Sequence, residues 1–296
     1  MTLLAILLAL FATRQAVVPD YLKEEWWGVR YLSAFSRWGV WQRFHPAVHY
    51  GAFVIPPMLM CWYIGTFQTS WFYDFVDLAI SAVLLSSIIG DRQLESAMQP
   101  FLKRWRAQEW QAAYVHGEKL LHLSKIVSPS EMLSQTVTLF LLRINQLLFA
   151  PIFWFAIFGS GGLVMYIMTY IAANPYIDSG KEKTSLPPWR KIAQEFLQAL
   201  DGISARLIAL SIALMCFSRK ALAVAFRRYR VTDREAEIVL KLATKVGLEF
   251  DELPDDQELL ASEGSSRIHA VQDLKSNVLI FWVIAIAILS LLGLGL

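Results

Sequence analysis

Two pairs of polar residues sit in stretches otherwise apolar enough for lipid. In "LLRINQLLFAPIFWFAIFGSGGLVMYIM", residues 141–168, they are Arg143 and Asn145. In "LDGISARLIALSIALM", residues 200–215, they are Asp201 and Arg206. A guanidinium can hold an anionic group or neutralise a buried carboxylate. A carboxylate can hold a divalent cation or serve as a base. An asparagine amide can hydrogen-bond across helices. Each residue also has a plainer reading. Arg143 can snorkel to a cytoplasmic interface, Asn145 can make a single interhelical bond, and Asp201 can favour the positive end of a helix. On a regular helix Arg143 and Asn145 point about 200° apart, so only a distorted helix aims both into one space. Asp201 and Arg206 are five apart, on different faces, and form no i,i+4 pair.

The remaining chemistry-bearing residues point less sharply. Asp74 and Asp77, three apart in "WFYDFVDLAI", share a helix face and suit a helix N-terminus at an interface. Asp77 lies deeper, and Arg143 or Arg206 would be its available partners. His45 and His49 have metal-ligand spacing, but Pro46 intervenes and no carboxylate follows nearby. Cys61 and Cys216 lie in apolar runs and read as small packed hydrophobes. No GxSxG, HExxH or Walker A pattern occurs.

The elements that must position these groups follow from composition. The chain has 296 residues, 56% of them hydrophobic, and a mean hydropathy of +0.43, which places it among membrane proteins. A net charge of +2 gives nucleic acid no electrostatic footing. Apolar segments at roughly 1–19, 49–67, 71–90, 137–173, 203–218 and 277–296 predict an all-α fold: a polytopic helical membrane protein with five or six hydrophobic segments, one of them broken. The organisation expected is membrane segments over 1–90 with a loop at 20–48, a cytoplasmic helical segment over 91–136, and a central membrane core over 137–218. A second cytoplasmic helical segment covers 219–276, and a closing span covers 277–296. The N-terminal stretch has no basic n-region and reads as a retained span or anchor that Arg14 interrupts.

The region 137–173 is too long for one straight crossing. Pro151 removes a helix hydrogen bond. Gly159, Gly161 and Gly162 allow a tight turn or close helix approach. A broken helix at membrane depth survives only when buried in protein or beside a watery cavity, so this region should line an interior polar space. The basic run "SRKALAVAFRRYR" places 219–230 in the cytoplasm and sends the last span outward. A single crossing of 137–173 puts 20–48 and 91–136 inside, with four and six basic residues, and 174–202 outside; a double crossing flips everything before it. "DREAEIVLKLATKV" reads as a helix with Asp233 as N-cap. "DELPDDQELLASEGSS" reads as a mobile acidic loop. "FLKRWRAQEWQAAYVHGEKLLHL" either lies on the membrane surface or packs against other cytoplasmic helices.

The order of these features resembles the AmpE family of inner-membrane proteins linked to β-lactamase regulation. The resemblance lies in "MTLLAILLAL", in "RINQLLFAPIFWFAIFGSGG", in "LDGISARLIALSIAL" and in the single terminal span. That family is distantly similar to the CobD/CbiB membrane proteins of cobalamin biosynthesis, through Asn145, Ala150–Pro151, Gly162, Tyr166, Asp201 and Ala205–Arg206–Leu207. Ser204 stands where both families usually have proline. "ANPYIDSG" keeps Asn174, Asp178 and Ser179 of an enzyme motif with altered spacing.

The resemblance implies a multi-pass protein of the bacterial inner membrane with a regulatory or signalling role in β-lactamase regulation or cell-wall stress. Arg143, Asn145, Tyr166, Asp201 and Arg206 would bind a small-molecule ligand between spans. Membrane lipid surrounds the spans, and membrane or cytoplasmic proteins would receive the signal. No cofactor is expected in that role. The alternative is a CobD/CbiB-like ligase or transferase acting on an anionic or amphiphilic substrate, with Arg143 and Arg206 on its charges and Asp201 on Mg²⁺, consuming nucleotide. A secondary transporter would need duplicated halves, and no internal repeat is visible.

Overall fold

The computed structural model describes residues 2–15, 30–35, 45–66, 71–121, 123, 128–174, 187–227, 235–248, 250 and 256–292. Among them the fold is entirely helical, without a strand. The helices are α1 (Thr2–Arg14), α2 (Pro46–Thr66), α3 (Trp71–Ile88), α4 (Asp91–Arg106), α5 (Trp110–Leu121), α6 (Pro129–Ile144), a π-helical turn (Asn145–Phe149), α7 (Ala150–Ala173), α8 (Pro188–Met215), α9 (Arg219–Phe226), α10 (Glu235–Gly247) and α11 (Gln257–Leu291). Three helical stretches are long and apolar enough to cross a membrane: Pro129–Ala173, Pro188–Met215 and Gln257–Leu291. Among the described residues, three of the expected five or six spans are found by this measure. The regions 49–67 and 71–90 form α2 and α3, and α1 is apolar but only 13 residues long.

Two expectations are corrected. The span expected to start near 203 begins at Pro188, because Trp189, Ala193, Leu197, Leu200 and Ser204 recur at helical spacing and are buried, which extends the helix N-terminal of its most apolar part. The acidic stretch expected as a mobile loop is helical from Gln257 onward. Its Leu260, Ala261, Gly264, Ser265, Ile268 and Val271 form one buried face that continues into the span. Residues 251–255, Asp233, and Asp178 with Ser179 lie outside the described residues.

The chain forms two compact units. The first comprises Met1–Gly90, Ala150–Leu200 and Ala285–Leu296; the second comprises Asp91–Phe149 and Asp201–Ile284. In the first, α2 and α3 pack on α7, and α1 packs on α3. Tyr50 Oη and Thr169 Oγ1 share a hydrogen bond of 2.7 Å, and His49 stacks on Trp189 at 4.8 Å. That stacked, buried position gives His49 a packing role, and His45 instead accepts from the Ala47 amide at 3.3 Å.

Helix α7 breaks at Gly159, whose φ of 61° and ψ of −153° belong to a region only glycine occupies readily. The break folds the chain back so far that a Cβ on Gly162 would lie 2.5 Å from the Trp154 carbonyl oxygen. The glycine cluster is therefore a tight turn followed by a close approach, as its composition predicts.

In the second unit, α4 and α5 form a hairpin whose core is Phe101 stacked on Trp105, with Trp110 edge-on to Trp105. Helix α11 lies against it. Gly264 seats the Trp105 indole, and the buried Lys275 pairs with Glu95. The basic–aromatic stretch of 101–123 thus packs against helices, burying Phe101, Leu102, Trp105, Ala113 and Leu121.

Candidate functional site

Helix α6 starts cleanly. The Ser128 hydroxyl accepts from the Glu131 amide at 3.2 Å, and Pro129 occupies the first turn. It ends in the π-helical turn Asn145–Phe149. Pro151 accounts for the change. It has no N–H to give Leu147, and its ring crowds the carbonyl four residues back, where the π turn widens the helix. Arg143 meets Gln146 one turn on, and the π turn begins at Asn145 itself.

Asn145 and its neighbour Gln146 both reach Asp201. Asn145 Nδ2 donates to the Asp201 carbonyl at 3.3 Å, and Gln146 Nε2 donates to Asp201 Oδ2 at 2.8 Å. The Ser204 hydroxyl lies between Asn145 Oδ1 at 2.8 Å and the Asp201 carbonyl at 3.0 Å, sharing its single proton. Arg143 joins from outside, its guanidinium 3.5 Å from Gln146 Oε1. Asn145, Asp201 and Ser204 are at most 2% exposed, while Arg143 and Gln146 are half-buried. The order from surface to interior is guanidinium, amide, carboxylate. A neutral amide, with a cation beyond it, donates to the carboxyl group of the buried Asp201.

Arg206 does not join this cluster. Its Nε donates to Glu235 Oε1 at 2.7 Å and its terminal nitrogen reaches the same oxygen, which ties α8 to α10. Asp201 and Arg206 point apart, as their spacing requires, and Arg206, one of the two partners offered to Asp77, pairs with Glu235. Tyr166 lies in the first unit, fully buried within α7. Within the second unit the structure therefore brings together Arg143, Asn145 and Asp201 and pairs Arg206 with Glu235 instead.

Three contributors escape a sequence reading of the site. Gln146 was legible only as a helical neighbour of Arg143, and Ser204 only as a departure from a usual proline. Its hydroxyl supplies a hydrogen bond that proline could not. Glu235 carried no signal at all, since its pairing depends on how α10 docks. Among the described residues no group of three or more histidine, cysteine, aspartate or glutamate side chains could hold a metal ion. The donor set around Asp201, one carboxylate already engaged by an amide, does not fit a Mg²⁺ centre.

No curated protein and no solved structure matches the chain. A protein-family comparison does match, over residues 1–294, to the family described as "Regulatory signalling modulator protein AmpE". The two stretches that resemble the family, around Asn145 and around Asp201, meet in the buried cluster, where the Asn145 amide donates to the Asp201 backbone carbonyl. With nearly its whole length matched, the chain belongs to the AmpE family of regulatory signalling modulators.

Proposed function

We propose that the chain is an inner-membrane signalling modulator acting in β-lactamase regulation or the response to cell-wall stress, and that the Arg143–Gln146–Asp201 chain is its sensing element. The observation that carries this reading is the half-buried amide of Gln146, placed between an outer guanidinium and a fully buried carboxylate. An anionic small molecule on Arg143 competes for the guanidinium that now faces Gln146 Oε1. Gln146 is then free to rearrange, and Asp201 loses its hydrogen bond from the Gln146 amide. The π turn beside it is the place for that change, since single π turns are rare distortions that occur frequently at functional sites. A ligand drives such a shift only through its difference in affinity for the two states. Asp201 and Arg206 share α8, so a rearrangement at Asp201 reaches the Arg206–Glu235 tie to α10.

The test is genetic. In a host with inducible β-lactamase, removal of the gene should alter induction or the cell-wall-stress response. Restoring it with Gln146→Leu should fail to complement while the protein still accumulates in the membrane. Unchanged induction and unchanged stress responses after removal would overturn the reading. The ligase or transferase alternative predicts thermal stabilisation by nucleotide with Mg²⁺ in detergent, which the signalling reading does not.

A further inference from the structure

Helix α8 ends in an unusual way. The Ser218 amide bonds back to the Ala213 carbonyl at 3.0 Å, and Phe217 adopts a left-handed φ of 48°. This is the helix-ending turn whose left-handed position glycine normally fills. Here it holds a phenylalanine that is 93% exposed. Ser218 then caps α9, accepting from the Ala221 amide at 3.3 Å, so Phe217 is fixed between the end of one helix and the start of the next. Both the backbone conformation and the exposure are unfavourable for an aromatic residue in water.

Helix α9 continues the pattern. Ala221 and Ala225 are buried, and α9 packs on α10. Leu222 and Phe226, four apart on the adjoining face, are exposed, Phe226 at 71%. Leu214, just before the turn, is also exposed. Lys220 and Arg227, seven apart, share another exposed face, and the exposed Arg219 falls between the two. An apolar edge bordered by cations, immediately after a helix long enough to cross a membrane, matches the chemistry of an anionic lipid surface: acyl chains for the phenyl rings, headgroup phosphates for the cations.

We propose that Phe217, Leu222 and Phe226, flanked by Arg219 and Lys220, seat α9 in the headgroup region of an anionic bilayer where α8 leaves it. The left-handed Phe217 is the anchor of this docking edge. This rests on α8 crossing a membrane, and it goes beyond the sensing cluster because it assigns a lipid contact to a different surface.

The experiment uses the full chain with Cys61 and Cys216 replaced by serine and a single spin label at Phe226→Cys, Leu222→Cys or, as an exposed control, Glu258→Cys. The protein is reconstituted into vesicles of phosphatidylcholine alone or mixed with phosphatidylglycerol. Collision with oxygen, which concentrates in lipid, is compared with collision with a water-soluble nickel chelate. Labels at 222 and 226 should favour oxygen several-fold over the label at 258, more strongly with phosphatidylglycerol. Arg219→Gln and Lys220→Gln should each lower the docked population about fivefold. Phe217→Gly should weaken docking while preserving or raising thermal stability, because glycine suits the left-handed turn.

Labels at 222 and 226 as open to nickel as the label at 258 would overturn the proposal. So would protection that depends on protein density rather than on lipid charge, which would mean a second copy covers the edge. Carbonate extraction separates this failure from failure of the spanning reading. A chain that washes off the membrane fails the second, and one that stays with α9 in water fails only the first.

Discussion

Asn145 and Ser204 hydrogen-bond one another in a site with almost no access to water, so removing either alone takes a partner from the other. Asn145→Ala leaves the Ser204 hydroxyl with only the Asp201 carbonyl to donate to, and Ser204→Ala leaves Asn145 Oδ1 without its donor. Each change should cost about 1–3 kcal/mol, read as a lower melting temperature in detergent. The double variant should cost less than the sum, because the hydrogen bond between the two side chains is lost only once. Strict additivity would mean that the two side chains do not interact. The Arg206–Glu235 pair behaves differently, since Arg206 is about a third exposed. Arg206→Gln should cost about 1 kcal/mol or less in stability. Its effect should appear instead in signalling output, where it uncouples α10 from α8. At this scale the sequence exposed which residues were out of place in lipid. It did not reveal that Asn145 would serve Asp201 while Arg206 served Glu235, because a side chain's partner depends on the neighbouring helix.

The breaks and continuations of the helices decide what the residues can reach. Gly159→Ala meets no atom within 4 Å, so its whole cost is backbone strain. With φ at 61° and ψ at −153° that should be about 1–3 kcal/mol, measurable as a fall in detergent melting temperature. Full retention of stability would mean that the break can be made without glycine. Gly264→Ala tests a different mechanism. Its Cβ would approach Trp105 Nε1 to 2.3 Å, so α11 and the α4–α5 hairpin must separate locally, at about 1–3 kcal/mol. A shift in tryptophan emission should accompany that loss. The proline and the glycines were legible as helix breakers. The extent of α8 and α11 was less so, because hydropathy finds the apolar part of a helix and stops. The polar N-terminal turns of both are helical because every third or fourth residue is buried against another element, a condition set outside the segment itself.

For the molecule as a whole, three helices long enough to span and a basic run after α8 set a testable topology. With 219–230 on the cytoplasmic side, alkaline phosphatase fused after Arg227 should be inactive, and fused after Leu291 it should be active. The reverse result would invert the orientation. Green fluorescent protein at the same points should give the opposite pattern.

The sequence alone determined that the protein is helical, that it belongs in a membrane, that its long central segment must break, and which family it resembles. These depend on the local chain: hydrocarbon excludes charge, proline and glycine disrupt helices, and such preferences act wherever the residue lies. Tertiary structure decided that Gln146 bridges Arg143 and Asp201, that Ser204 completes the Asn145 site, and that Arg206 answers Glu235 from 29 residues away. Those outcomes depend on which helix faces lie against each other, and a polar group in a dry interior takes whatever partner that packing brings within reach.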